Sequence, residues 1–255
     1  MINERCTFER WGLDFERWGL DKVSASPHDL AIDIWQVALD QPRHAVAELR
    51  QALSSAERER CAALRSPTDR ARRTVAYAAL RQILAGAIHA PGASLQIVTG
   101  PTGKPRLTDF NGGEAIQFNL THSADLCLIA VAYGAAIGID VEAVVPRDAV
   151  ESLIAFLAAP EETPALQNAD DLLPTFYRLW TRKEAYVKAT GAGLSMRLAE
   201  IAVESGRHAA FLKLPGDNPA AWSLIHLEPA PGYIGALAVR RPEAVASLRT
   251  WNPTL

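Results

Sequence analysis

Four short apolar runs, Leu95 to Thr99, Ile116 to Asn119, Leu126 to Ala132 and Ile137 to Glu142, are separated by the turn-rich stretches GPTGKP, NGG and YGAA. Runs of this length between such turns read as a meander of strands. The preceding text, from Ser54 to Ala90, reads as helix, with Ser54 or Ser55 as N-cap and Glu57 in the first turn. Pro67 separates it into two helices. Val75, Ala79, Ile83 and Ile88 suit one apolar face of the second, and Arg70, Arg72, Arg73 and Arg81 fall on its polar side. The same order returns downstream: helical text through 149–158 and 174–190, then strand candidates near 199–204, 209–214, 222–228 and 233–240. AWSLIHLEPAPGYIGALAVR mirrors LCLIAVAYGAAIGIDVE as two apolar runs around a turn. The expectation is an α+β fold of two similar halves, 31–143 and 144–255, with a ligand cleft between them.

The chain can bury a core of that size, since 49% of its 255 residues are hydrophobic and 22% charged. A net charge of -3 gives no broad basic field, so no nucleic acid or anionic membrane is expected as partner. Cys6, Cys61 and Cys127 are odd in number and lack metal-type spacing, which argues against a disulfide framework or a zinc site and fits a reducing cytoplasm. The N-terminal residues contain no apolar core like that of a signal peptide, and the longest uncharged run, Leu126 to Ile139, is too short to span a bilayer. The heptapeptide FERWGLD at 8–14 is repeated unchanged at 15–21. Two copies do not make a solenoid, and residues 1–30 read as a loosely ordered tail.

The strand IGIDVE sets Asp140 and Glu142 on one face, side by side at roughly 6 to 7 Å between Cα atoms. Like charges so placed repel unless a cation or donor lies between them. A hard divalent ion such as Mg²⁺ would resolve the repulsion; a solvated strand face bearing two acids is the plainer alternative. In LWTRKEAYVKATGAGL, 179–194, a helix would align Trp180, Glu184 and Lys188, with Lys183 beside them and GAG as terminator. A surface Glu–Lys pair worth only about 0.2 to 0.5 kcal/mol is the competing account of Glu184 and Lys188. Lys104 in TGKPRL sits on a Gly/Pro turn, and His122 in FNLTHS follows Thr121 at the start of an apolar run. Each has an ordinary reading, as a solvated loop lysine and a strand-edge histidine. Taken together, three acids, several cations and a His, without Ser-His-Asp or Cys-His machinery, suggest phosphate chemistry, where positioning and charge neutralisation do most of the work.

The motifs GKP, FNLTHS, IGIDVE and WTRKEAYVKATGAGL, in this order, resemble the signature of the Sfp-type 4'-phosphopantetheinyl transferases over roughly residues 50 to 240. Thr121 stands where many relatives have Ser. The resemblance implies a pseudo-twofold α+β arrangement. It also implies transfer of the phosphopantetheine arm of coenzyme A to a Ser of an acyl or peptidyl carrier protein, releasing adenosine 3',5'-bisphosphate. Asp140, Glu142 and Glu184 would hold Mg²⁺, or Mn²⁺, against the pyrophosphate. Lys188 would neutralise that pyrophosphate, and Glu184 would serve as base for the incoming Ser. Thr121, His122, Lys104 and Lys183 would contact the coenzyme, and Arg60, Arg73 and Thr74 would grip its 3'-phosphate and adenine region. A monomer is expected. Two rivals remain: a metal-dependent phosphotransferase or phosphohydrolase acting on a nucleotide without a carrier, and a non-catalytic coenzyme A or carrier-binding module.

Overall fold

The computed structural model describes residues 31–100, 102–108 and 116–253. The duplicated heptapeptides and the expected tail lie outside the described residues. Two compact units are formed, one centred on Gln41–Leu95 and the other combining residues 31–40 with Gln96–Trp251.

The first unit is helical: α1 Arg43–Leu49, α2 Ser55–Ala62 and α3 Pro67–Ile88. Ser54 starts α2 through a capping box, its hydroxyl accepting from Glu57 N while the Glu57 carboxylate accepts from Ser54 N at 2.8 Å. Ser66 caps α3 and Pro67 takes its first turn, where the missing N–H has no intrahelical partner to lose. The break at Pro67 is therefore a helix start. Val75, Ala79 and Ile83 are buried, as the pattern expects. Arg81 departs from it, being buried rather than on a polar face. Its Nε donates to Glu57 at 2.7 Å and a terminal nitrogen to Gly92 O at 2.9 Å, so the capping acid of α2 also neutralises a cation from α3.

The second unit mixes helices with sheets. One sheet has the order β11-β1-β5-β4, from β1 Ala31–Ala38, β4 Ile116–Ser123, β5 Leu126–Tyr133 and β11 Val245–Thr250. A second has the order β6-β10-β9, from β6 Ile137–Ala143, β9 Ser223–Leu227 and β10 Tyr233–Val239. Short pairs join β2 Ile97–Thr99 to β3 Pro105–Leu107 and β7 Ala202–Val203 to β8 Phe211–Lys213. The helices are α4 Val150–Leu157, α5 Thr163–Gln167 and α6 Leu172–Thr190. The expected meander holds for β4 and β5, but β6 leaves it and pairs with β10 instead. Strands β1 and β11, parallel to each other, were not anticipated from the sequence.

Ile32, Ile34, Leu128, Ile137, Ile139 and Leu237 form one apolar core, and Tyr177, Leu179, Tyr186, Ile201, Trp222 and Ile234 another around α6. Tyr186 meets Trp222 edge-on at 4.9 Å, a geometry that adds about 0.5 to 1.5 kcal/mol beyond simple burial. Among the described residues, no helix is long and apolar enough to cross a membrane.

Candidate functional site

Helix α6 packs directly on β6, and Gly138 permits it: a Cβ there would run into the Ala185 carbonyl and the Ala189 amide. The contact turns the charged side of α6 toward the acids of β6. From Leu179 to Ala189 every residue is buried except Trp180, Glu184 and Lys188, at i, i+4 and i+8. This is one stripe of a helix otherwise surrounded by protein. Gly191, at φ 71°, ends the helix in the left-handed region, as the GAG signal expects. The stripe is therefore no ordinary solvated face. Trp180, Glu184 and Lys188 line a cavity of about 800 Å³, with Lys104, Asn119 and Met196 on its other walls.

Lys188 Nζ donates to Asp140 Oδ1 at 2.6 Å and to Thr121 Oγ1 at 3.2 Å, and the Thr121 hydroxyl donates to the same Asp140 oxygen at 3.1 Å. Asp140 Oδ2 is buried without a partner among the described residues. Burial pushes the Asp140 carboxyl up to about 6, Lys188 opposing the rise while Glu142 and Glu184 add to it. Glu184 is also raised, by burial, with Lys188 acting against the shift and Glu142 with it. Asp140, Glu142 and Glu184 thus lie near enough to perturb one another, with the Lys188 ammonium on Asp140. Among the described residues, no His, Cys, Asp or Glu group is arranged as a ready-made metal cage. The oxygen-only donor set and the orphaned Asp140 Oδ2 nonetheless fit a hard divalent cation.

Strand β4 explains how β6 is held. Asn119, Thr121 and Ser123 alternate along it and so share a face. Asn119 Oδ1 accepts from Ile139 N at 2.9 Å, Thr121 reaches Asp140, and Ser123 Oγ donates to Glu142 Oε2 at 2.7 Å while accepting from Ala143 N at 3.0 Å. Asn119 and Ser123 were missed in the sequence. The period-two polar alternation inside FNLTHS was the signal for them.

His122 falls between these positions, exposed and on the alternate face of β4, and is not brought to the acids. Lys104 Nζ donates to Ile137 O at 2.8 Å and Ala189 O at 3.1 Å, and burial pushes its ammonium down to about 8. Lys183 turns away from the stripe. Fully buried, it donates to Leu157 O at 2.7 Å and to the Glu162 carboxylate at 2.8 Å, so it is a core cation and no coenzyme contact. In the helical unit Arg60, Arg73 and Thr74 gather around the buried Cys61 thiol, which burial raises while these three act to lower it. Thr74 is itself buried, its hydroxyl donating to Arg70 O at 2.8 Å, and Arg60 lies over the Tyr77 ring.

Residues 136–238 match the model of the 4'-phosphopantetheinyl transferase superfamily. The chain is 36% identical to the 4'-phosphopantetheinyl transferase HetI of Nostoc sp. over 82% of its own length and 87% of that protein's. It is 29% identical to the transferase psf-1 of Bacillus pumilus, over 79% and 85%, and 25% identical to Sfp of Bacillus subtilis, over 75% and 84%. Among solved structures, Thermotoga maritima holo-[acyl-carrier-protein] synthase covers 42% of this chain and 64% of its own at 19% identity. The TM-score of 0.35 is too low for that likeness to carry weight. The chain belongs to the 4'-phosphopantetheinyl transferase family and is an enzyme of that kind.

Proposed function

We propose that the protein transfers the phosphopantetheine arm of coenzyme A to a Ser hydroxyl of an acyl or peptidyl carrier protein. The observation that carries this reading is the meeting of Asp140, Glu142 and Glu184 with Lys188 beside an open cavity. Clustered acids beside a cation suit a pyrophosphate, whose transfer needs neutralisation more than covalent help from the protein. Asp140, Glu142 and Glu184 would hold Mg²⁺, or Mn²⁺, and the orphaned Asp140 Oδ2 supports this. Bound there, the ion would offset the charge of the pyrophosphate and of the leaving group.

The chain's own residues account for the remaining steps. Lys188, 29% exposed at its side chain, has its ammonium held by Asp140, Thr121 and Ile139 O, and can turn the N–H groups of the two longer contacts to a phosphate oxygen while keeping Asp140. Glu184, its carboxyl raised by burial, takes the proton as the carrier's Ser oxygen bonds to the phosphorus next to pantetheine. The bridging P–O bond breaks, and adenosine 3',5'-bisphosphate leaves. Lys104 and the exposed His122 serve the coenzyme's phosphates and nucleotide. Thr121 has its hydroxyl committed to Asp140 and positions that carboxylate.

The test is incubation of the protein with coenzyme A, Mg²⁺ and a panel of apo carrier proteins, followed by mass spectrometry. Addition of phosphopantetheine to one carrier Ser, dependent on the cation, is the expected result. No mass change on any carrier, with nucleotide hydrolysis in its place, would favour a phosphohydrolase.

A further inference from the structure

We propose that Ser123 is a positioning residue for the acidic site, fixing both the side chain of Glu142 and the backbone that carries it. The proposal rests on the reading of Asp140, Glu142 and Glu184 as ligands of a divalent cation.

β4 and β6 belong to different sheets and share no backbone ladder, yet lie against each other. Side chains supply what the ladder would. Asn119 takes the Ile139 amide, Thr121 the Asp140 carboxylate, and Ser123 both the Glu142 carboxylate and the Ala143 amide. Asn119, Thr121 and Ser123 form three rungs, and two of them end on the two acids of the strand. Ser123 holds its acid twice. Its single hydroxyl proton is committed to Glu142 Oε2, and its lone pair receives the amide one residue on. An acceptor–donor pair of this kind allows the carboxylate neither to swing nor to slide along the strand.

The hydroxyl also leaves Glu142 with one oxygen tied and one available, since Oε1 has no hydrogen-bond partner among the described residues. Asp140 is in the same state, with Oδ1 tied by Lys188 and Thr121 and Oδ2 unpartnered. Each acid thus has one oxygen tied and one unpartnered, an arrangement in which a neighbour orients the carboxylate and the second oxygen can ligate a cation. An acid held only by solvent would present either oxygen, and the ordering would then have to come from the ion.

The experiment compares wild type, Ser123→Ala, Ser123→Thr and Asp140→Ala without coenzyme A. Mn²⁺ affinity is read by electron paramagnetic resonance or calorimetry, and thermal melting on the same samples. Loss of a group that orients a ligand typically weakens metal binding by roughly 10- to 100-fold, and Ser123→Ala is expected at the low end of that range. Its melting temperature should stay near wild type, and Ser123→Thr, which restores the hydroxyl, should restore affinity. In transfer assays the Mg²⁺ concentration for half-maximal rate should rise by a similar factor while the rate at saturating Mg²⁺ is largely kept. Wild-type Mn²⁺ affinity in Ser123→Ala would overturn the proposal. So would weak binding that Ser123→Thr fails to rescue, because volume and not the hydroxyl would then be responsible. If Ser123→Ala does not fold, Ser123→Cys, close in volume and a weak donor, takes its place with the same outcomes. Undiminished Mn²⁺ binding by Asp140→Ala would instead sink the cation reading itself.

Discussion

Lys188 Nζ lies 2.6 Å from Asp140 Oδ1, joining the last turn of α6 to the middle of β6 across a contact that Gly138 makes possible. Among the described residues, Lys188 is the cation set directly on Asp140, so its removal should be felt before any substrate binds. Lys188→Met leaves the buried Asp140 charge beside Glu142 and Glu184 without its partner. Breaking such a pair costs up to about 3 to 5 kcal/mol, and about 1 to 3 kcal/mol here, given that Lys188 is partly exposed. Asp140→Asn in the Lys188→Met background removes the stranded charge and should recover most of the loss. Urea unfolding of wild type, both single variants and the double variant tests this. Additive costs would show that the two side chains are not coupled.

Glu184→Gln separates two accounts of one residue by sign. On a helix surface, losing a Glu–Lys pair would cost a few tenths of a kcal/mol and leave the rate alone. Here Glu184 is raised by burial and by Glu142, so neutralising it should leave metal-free stability unchanged or higher. Transfer should nonetheless fall by on the order of 10² to 10⁴, the usual loss for a general base. Thermal melts without metal and steady-state rates on one preparation decide between them. A slightly lower melt with an unchanged rate would return Glu184 to a structural role.

The buried pair of Lys183 and Glu162 should behave as framework. Glu162 also accepts from Ala159 N at 2.8 Å and Val203 N at 2.9 Å, so it keeps two donors when the lysine is lost. Lys183, by contrast, would keep only carbonyls, of Leu157 and Leu198. Glu162→Gln is therefore expected to cost roughly 3 to 5 kcal/mol, and Lys183→Met less. Coenzyme A affinity of the folded fraction should be unchanged in Lys183→Met. A selective loss of affinity at unaltered melting would return Lys183 to the coenzyme.

The contrast between Lys183 and Glu184 marks what the sequence could and could not disclose. Helix periodicity aligned Trp180, Glu184 and Lys188 and placed the terminator at Gly191, because those are local consequences of 3.6 residues per turn. It did not say that the rest of α6 would be buried. Lys183 therefore reads as a coenzyme contact and Arg81 as polar surface, although a distant acid draws each inside. Similarly, the acids of β6 were legible as a pair, but not the departure of β6 from its meander. That pairing is decided by β10, some ninety residues on, and by side-chain rungs from β4. Strands β1 and β11 escaped for the same reason, since parallel pairing across the length of the chain leaves no local turn to announce it.

Lys104 offers a test by pH. Its ammonium donates to two carbonyls, Ile137 O and Ala189 O, with no carboxylate partner among the described residues, and burial lowers it from 10.5 to about 8. A lysine lowered in the folded state holds fewer protons there than in the unfolded chain between pH 8 and 10.5. Stability contributed by this group must therefore rise with pH across that window and be flat below it. Other groups titrate in the same range, so the quantity to follow is the difference between wild type and Lys104→Met. That difference should move in favour of wild type as pH climbs from 7.5 to 10. Below pH 7.5, where the desolvated charge burdens only the wild type, the variant should lose little. Chemical unfolding of both proteins at four or five pH values measures it. A difference that stays level across the window would mean that the Lys104 ammonium is not desolvated, and with it would go the account of why this residue sits poised on a cavity wall.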